Sequence, residues 1–247
     1  MKRDGKRDVK TDAVKTALVL SGGGMFGAWQ AGAWSALSRS FRPDLIVGAS
    51  IGSLNGYVIA GGAEPEQLID FWMRPGVGAL RSLPATIQSL MAQHPLRMDY
   101  AVVLTDVFRL KPKIFLGDQV TWRHLAASCA VPGVLPQYRI GARWYTDGGL
   151  LNPLPVWAAV ELGATRIVAL HVLPEIPSRI LKPFVNGFRR IAGHHPPLPE
   201  GVTVSILQPE RTLGSMRDAL RWRRDNIEDW ITRGNLAAKN IPLPNCL

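Results

Sequence analysis

Three features of the chain predict an α/β fold with a mostly parallel sheet and helices on both faces. Apolar runs of strand length recur at residues 17–20, 45–47, 166–172 and 202–207. The first two each enter a glycine turn and then a helical pattern, a β-α-β-α opening that suits a parallel sheet. Residues 16–40 (apart from Arg39) and residues 45–63 carry no charge, as buried parallel strands and their helices do. With 247 residues, 47% of them hydrophobic, the chain is long and apolar enough for one domain with a substantial core.

Residues 1–15 are polar and rich in basic side chains, so a disordered basic tail is expected there, with the domain running from 16 to 247. No apolar run precedes a small-residue cleavage site, so a secretory signal is not expected and a cytoplasmic setting is. By length, both uncharged stretches qualify as membrane spans, and Gly23 with Gly27 fits the small-xxx-small pattern of packed membrane helices. The triple glycine would interrupt the first span, so buried α/β elements explain both stretches better.

The remaining elements follow from periodicity and turn residues. Residues 25–37 place Trp29, Ala33, Ala36 and Leu37 at helical spacing. After the strand at 45–47, residues 55–60 continue as a buried helix. Residues 64–73 form an amphipathic helix with Pro65 in its first turn. Residues 74–100 are interrupted by Pro75, Gly76, Gly78, Pro84 and Pro95 yet stay apolar through Leu80, Leu83, Ile87, Leu90 and Met91. A helical excursion over the domain is expected there, and with it a candidate lid. Strands are predicted at 101–108 and 113–116 around a turn near Lys111-Pro112, and a short helix at 121–128. A strand at 143–145 ends at Asp147-Gly148-Gly149, and Pro155 opens a helix to Leu162. Residues 174–201 read as a long loop. Residues 215–239 read as one charged helix with Leu220, Ile227, Trp230 and Ile231 as its inner stripe.

The string Gly48-Ala49-Ser50-Ile51-Gly52 fits G-x-S-x-G, the turn that presents a nucleophilic serine between a strand and a helix. Glycines at both flanks let strand and helix pass closely. A serine hydroxyl needs a base within hydrogen-bond reach and preorganised donors for the oxyanion it creates. Gly22-Gly23-Gly24-Met25-Phe26-Gly27 can supply donors, because consecutive N–H groups at a helix start form an anion-binding concavity. A side chain there would obstruct an acyl carbonyl. The helix after Ser50 adds its dipole to the same point. Gly22, Gly24 and Gly27 also match the dinucleotide fingerprint G-x-G-x-x-G. That reading lacks its acidic residue, since the second strand ends in Gly48-Ala49-Ser50 and Asp44 precedes it.

Two candidates for the base stand in the sequence. Asp147 lies at a strand end with two glycines clearing space beside it, although Asp-Gly-Gly alone also reads as a surface turn. His171 and His194-His195 would instead complete a Ser-Asp-His order, as in an esterase acting on small soluble esters. A lone histidine at a strand end is more often structural. His94 and His124 complete the set of five. The two cysteines, Cys129 and Cys246, form no disulfide framework. With no cysteine cluster and no H-E-x-x-H, neither a metal nor a cofactor is expected.

Net charge is +10. Between residues 176 and 224, nine Lys/Arg stand against Glu200, Glu210 and Asp218. An anionic membrane surface and simple solvation are both open uses of that charge. No nucleic-acid motif or aromatic-basic interleaving is present, so nucleic acid is not an expected partner.

The order of these motifs resembles the patatin-like phospholipase family. That family joins a glycine-rich loop, a G-x-S-x-G serine and a later D-G-A or D-G-G aspartate in a three-layer α/β/α fold. Residues 127–132, Ala-Ser-Cys-Ala-Val-Pro, look like the family's segment before the aspartate strand. Tyr145-Thr146-Asp147-Gly148-Gly149 through Asn152-Pro153-Leu154-Pro155 is similar to its D-G-G and N-x-P stretch. The resemblance covers roughly residues 16–172. It implies a lipid acyl hydrolase of phospholipase A type without a cofactor, with Ser50 as nucleophile and Asp147 as base in a dyad that needs no histidine. It also implies an oxyanion hole at Gly22, Gly23, Gly24 and Gly27. A lipid-binding module of the same fold without catalysis is the other reading. Many members carry Arg or Lys where this chain has Phe26, which bears on headgroup preference and not on acyl chemistry.

Overall fold

A computed structural model describes residues 14–75, 82–174 and 196–239. Eight strands and seven helices are defined among them: β1 Thr16–Leu20, α1 Gly27–Leu37, β2 Leu45–Ala49, α2 Ile51–Ala60, α3 Pro65–Met73, α4 Leu83–Gln93, β3 Asp99–Asp106, β4 Lys111–Leu116, α5 Trp122–Ser128, β5 Tyr138–Ile140, β6 Arg143–Thr146, α6 Val156–Glu161, β7 Arg166–Leu170, β8 Thr203–Leu207 and α7 Arg224–Ala238.

All eight strands join one sheet in the order β5-β6-β3-β2-β1-β7-β8, with β4 also paired to β3. The run from β3 through β2, β1 and β7 to β8 is parallel, and β4, β5 and β6 are antiparallel additions. Strand residues alternate between two buried cores, as a period of two requires. Leu18, Leu20, Ile46, Val102, Leu104, Val168 and Leu170 face one core together with side chains of α1, α2, α3, α4, α5 and α7. Ala17, Val19, Val47, Ala101, Val103, Ile167 and Ala169 face the other, which α6 covers through Trp157, Ala158 and Ala159. Helices therefore lie on both faces, six against one among the described residues.

On the crowded face, α1 and α7 cross with their backbones almost touching. A Cβ on Gly32 would collide with the carbonyl of Ile231, and one on Gly234 with the carbonyl of Trp29. The glycines that look unfavourable for helix formation in both segments are what permit this crossing.

Several boundaries differ from the sequence expectation. Helix α7 begins at Arg224, not near Ser215, and a short 3-10 turn, Asp218–Leu220, precedes it. The Asp218 carboxylate turns back to accept from the N–H and Oγ of Ser215. Arg221 and Arg223 are extended (φ −127° and −140°), so a continuous helix is broken there. Leu220, expected on the inner stripe, is 46% exposed, whereas Ile227 and Trp230 are buried. The β3–β4 turn lies at 107–110, ahead of Lys111-Pro112. Pro112 pairs opposite Thr105 in β4, on the sheet's outer strand where a missing N–H is tolerated. The short strand β5 was not anticipated, because three residues around Arg139 show no apolar pattern.

Residues 83–93 form the helical excursion, with Leu83, Ile87 and Leu90 buried in the core. Part of the expected lid, residues 76–81, lies outside the described residues, as do most of the 174–201 loop, residues 1–13 of the tail and Cys246. At the start of the domain Lys15 pairs with Asp99 at 3.1 Å. No helix among the described residues is long and apolar enough to cross a membrane.

Candidate active site

The parallel strands all end on one side, and the loops that leave there gather the motif residues, as open α/β sheets do. Strand β2 pairs with β3 up to Ala49 opposite Val103. Strand β6 runs the other way and pairs Tyr145 with Asp106 and Thr146 with Thr105. Because β4 occupies the opposite side of β3 at residues 101–106, β2 and β6 share one side of it, end to end. Each strand's next residue, Ser50 from one direction and Asp147 from the other, therefore arrives at the level of Leu104. Two residues 97 positions apart in the sequence are brought together by register.

Ser50 has φ 52° and ψ −132°, a conformation that is strained by about 1–3 kcal/mol for a residue with a side chain. Surrounding contacts hold it. Its N–H donates to Ser128 Oγ at 2.9 Å, and that hydroxyl donates to the Val103 carbonyl at 3.0 Å. Its carbonyl accepts from both the N–H and the Oγ of Ser53, at 2.9 and 2.6 Å. A Cβ on Gly48 would lie 2.5 Å from the Gly52 carbonyl oxygen, and one on Gly52 2.5 Å from the Ser21 oxygen. Both flanking glycines are thus required by strand–helix contact. Ser50 remains 7% exposed.

Asp147 is held as firmly. Its N–H donates to the Ala130 carbonyl and its carbonyl accepts from Thr105 Oγ1 at 2.9 Å. Its Oδ1 accepts the Gly149 N–H at 2.7 Å, an Asx turn that fixes the side chain's direction. Gly148 passes directly over β3, where a Cβ would collide with the Val103 carbonyl. A Cβ on Gly149 would sit 3.8 Å from Gly22 Cα, and one on Gly22 3.0 Å from Ser50 Cβ. Gly22, Ser50, Asp147 and Gly149 are therefore immediate neighbours. Asp147 is 5% exposed, so the motif is not a surface turn. Burial and the nearby Asp147 carboxylate push the Cys129 thiol far up, which makes it an inert core group.

The glycine loop is built differently from the sequence argument. Its glycines are demanded by protein contacts: a Cβ on Gly23 would strike Val172, one on Gly24 (φ 58°) the Ala219 carbonyl, and one on Gly27 would lie 2.6 Å from Trp72. Donor roles divide too. The Gly22 N–H is bonded to the Pro153 carbonyl at 3.0 Å, and the Gly27 N–H to carbonyls of Gly24 and Met25. The N–H groups of Gly23, Gly24 and Ile51 have no acceptor among the described residues. Ile51, the first residue of α2 and so an unbonded donor by position, went unnoticed in the sequence.

A buried polar chain supports this loop from below. Gln30 Nε2 donates to the Ser21 carbonyl at 2.9 Å, and Asn55 Nδ2 donates to Gln30 Oε1 and the Gly27 carbonyl, both at 2.9 Å. Trp72 Nε1 donates to Asn55 Oδ1 at 3.0 Å, and Trp222 Nε1 to the Trp72 carbonyl at 2.9 Å. Gln30 and Asn55 are 1% and 0% exposed. Their signal in the sequence was faint: two amides inside otherwise apolar helices.

Other predicted residues are placed elsewhere. His171 follows β7, and its N–H bonds the Leu207 carbonyl at 2.9 Å. Strand β1 stands between β7 and β2, a separation of about 10 Å at the usual strand spacing. His194 and His195 lie outside the described residues. His124 belongs to the capping box of α5, and His94 ends α4. Asp44, at the opposite end of β2, accepts from Thr16 N and Oγ1, both at 2.8 Å. Phe26 is buried edge-on against Trp230, with ring centroids 5.0 Å apart.

Comparison with known proteins agrees with this architecture. The protein is 30% identical over 190 residues to the protein YjjU of Escherichia coli, covering 65% of this chain and 52% of that one. It is 29% identical over 193 residues to the NTE family protein Rv1063c of Mycobacterium tuberculosis, covering 70% and 53%. Human patatin-like phospholipase domain-containing protein 6 matches at 28% over 182 residues, 63% of this chain and 13% of that protein. The chain thus spans about half the length of the two bacterial relatives. The crystal structure of VipD from Legionella pneumophila superposes with a TM-score of 0.55 at 11% identity, over 91% of this chain and 66% of that one, a likeness of fold. A family model described as patatin-like phospholipase matches residues 18–92 and 94–160, which include every motif assembled at the sheet end. The chain belongs to the patatin-like phospholipase family.

Proposed function

We propose that this protein is a lipid acyl hydrolase that cleaves carboxylic esters through an acyl-enzyme on Ser50, with Asp147 as the base. The observation that carries the reading is the end-to-end meeting of β2 and β6, which delivers a strained serine and a buried carboxylate to one level of the sheet. In the first step Ser50 Oγ attacks the acyl carbonyl while its proton passes to the Asp147 carboxylate. The oxyanion develops next to the N–H groups of Gly23, Gly24 and Ile51, and fixed donors of this kind lower the barrier most. Collapse expels the alcohol, which takes the proton from Asp147. Water then attacks the acyl-enzyme, again giving a proton to Asp147, and as the bond to the acyl group breaks Ser50 Oγ takes that proton back and the free acid leaves. The other expected loop donors, Gly22 and Gly27, serve by lacking a side chain, and Gly48, Gly52, Gly148 and Gly149 by allowing close backbone passage.

The substrate proposed is a lipid or phospholipid presented at an anionic membrane surface. Phe26 leaves the loop itself without a cation. Arg217 and Arg221, which flank the exposed Leu220 on the turn packed against Gly24, supply positive charge beside it.

Turnover of a short-chain nitrophenyl ester tests the assignment. Ser50→Ala and Asp147→Asn should each remove at least about 10³-fold of kcat/KM, and the double variant should be little worse than either single, since members of one unit are non-additive. His171→Ala should retain turnover. Loss in His171→Ala with full activity in Asp147→Asn would replace the dyad by a Ser-His-Asp esterase, and no turnover of any ester would leave a lipid-binding module.

A further inference from the structure

The β3–β4 turn stands on the same end of the sheet as Ser50, starting just past Asp106, which is about 7 Å along the strand from the level of Leu104. It presents Phe108, 80% exposed and the most exposed large apolar side chain among the described residues, together with Leu110 at 41%. Leu110 has φ 51°, a left-handed conformation that glycine or asparagine would adopt more cheaply. A leucine held there against backbone preference, and facing water, is not explained by packing.

The turn is not loose. The buried Asp106 carboxylate accepts the N–H groups of Phe108 and Arg109 at 3.1 and 3.0 Å through Oδ1, and Arg143 at 3.2 Å through Oδ2. The Leu110 N–H bonds the Asp106 carbonyl, and the Val107 N–H bonds the Trp144 carbonyl. Trp144, on the strand that leads to Asp147, is 43% exposed beside it. Arg109 and Lys111 are exposed on and beside this turn, and Arg139 opposite Trp144, and none has a carboxylate within ion-pair distance among the described residues. The sequence has no acid between Asp106 and Asp118, nor between Asp118 and Asp147.

We propose that this rigid tip is an interfacial anchor: Phe108 and Leu110, with Trp144 behind them, insert into the surface of an anionic bilayer, while Arg109 and Lys111 contact its headgroups. Apolar side chains flanked by cations without a carboxylate partner match the two layers of such a surface, and a preformed turn loses little entropy on insertion. The proposal deepens the lipid-hydrolase reading by naming the surface that brings the Ser50 end to its substrate. It makes no use of residues 176–195.

Co-sedimentation with phosphatidylglycerol and phosphatidylcholine vesicles tests it, alongside turnover of a water-soluble nitrophenyl ester. The wild type should bind phosphatidylglycerol vesicles, more weakly as salt rises, and bind phosphatidylcholine poorly. Phe108→Ser, which removes an almost uncontacted side chain and so leaves the fold intact, should weaken vesicle binding about tenfold. Phe108→Ser/Leu110→Ser should weaken it further, and Arg109→Gln/Lys111→Gln should flatten the salt dependence. Soluble-ester turnover should stay unchanged in all three. Equal vesicle binding by Phe108→Ser and wild type, or no binding by wild type, would overturn the anchor and leave the hydrolase standing. A wild-type dimer that Phe108→Ser dissociates, with vesicles ignored, would also overturn it, as a protein contact. Absent ester turnover with intact, Phe108-dependent vesicle binding would instead remove the hydrolase reading alone.

Discussion

Only two non-glycine residues among those described have positive φ, Ser50 at 52° and Leu110 at 51°, and both stand at the same end of the sheet. One is buried and the other faces solvent. Ser50 is held by Ser128 and Ser53 and by glycines on each side. Leu110 is held by a turn that Asp106 caps. A positive φ is thus retained by two unrelated devices, burial in one turn and a single carboxylate in the other. At Ser50 the positive φ turns the chain from β2 into α2, and at Leu110 it closes the turn from β3 into β4; the side chains presented there are the ones proposed to meet an acyl carbonyl and a bilayer.

Replacing each residue by glycine separates strain from role. Ser50→Gly should abolish ester hydrolysis, by about 10³-fold or more, while raising the thermal midpoint, because the backbone strain is relieved and little packing is lost. Leu110→Gly should raise the midpoint by a similar amount, corresponding to about 1 kcal/mol, and leave soluble-ester turnover intact. A fall in stability for either variant would mean that its conformation is not the strained one described.

The two supports can be removed next. Asp106→Ala takes away three hydrogen bonds and should destabilise the protein by about 1–3 kcal/mol in denaturant titration, with kcat on a soluble ester unchanged. Burial alone would raise the Asp106 carboxyl, but the Arg109 N–H, the Arg143 guanidinium and the Phe108 N–H outweigh it and hold it below the ordinary carboxylate range. A depressed carboxyl stabilises the fold above its unfolded value near 3.9 and loses that contribution as pH falls through the lower folded value. The Asp106→Ala deficit should therefore persist at pH 5 and shrink only below about pH 4.

Gln30→Leu, beneath the glycine loop, should lower kcat by roughly tenfold with little change in KM, since a loop donor displaced by a fraction of an ångström acts on the transition state. An effect confined to stability would make the Gln30–Asn55–Trp72 chain purely structural. Chelation should have the smallest effect of all. Among the described residues no group of His, Cys, Asp and Glu could hold a metal ion, and turnover should survive EDTA unchanged.

How much of this was legible in the sequence differs between the two turns. The elbow announces itself, because a strand, a glycine-flanked serine and a helix are local in sequence and each glycine answers to a nearby backbone. The parallel sheet was legible for the same reason, in apolar runs without charge. The meeting of Ser50 with Asp147 was reached only through the family resemblance and not from the residues themselves, because it depends on β6 sharing one side of β3 with β2, a pairing between segments far apart. The purpose of Gly23 and Gly24 was likewise hidden, since Val172 and Ala219 touch them from distant loops. Leu110 falls in the expected turn between residues 108 and 113, but an apolar residue there carries no signature of a positive φ, which exists only once Asp106 turns the chain. The break ahead of α7 was missed because Asp218 acts on Ser215 through a side chain, which helical periodicity does not register.

The central claim is that Ser50 is a nucleophile activated by Asp147. Incubation with an alkyl fluorophosphonate, followed by mass spectrometry of the peptides, tests it most directly. The account predicts stoichiometric modification of Ser50 in the wild type, labelling slowed by at least about 10²-fold in Asp147→Asn, and none in Ser50→Ala. Labelling at another residue, or ester hydrolysis that continues with Ser50 unmodified, would contradict it.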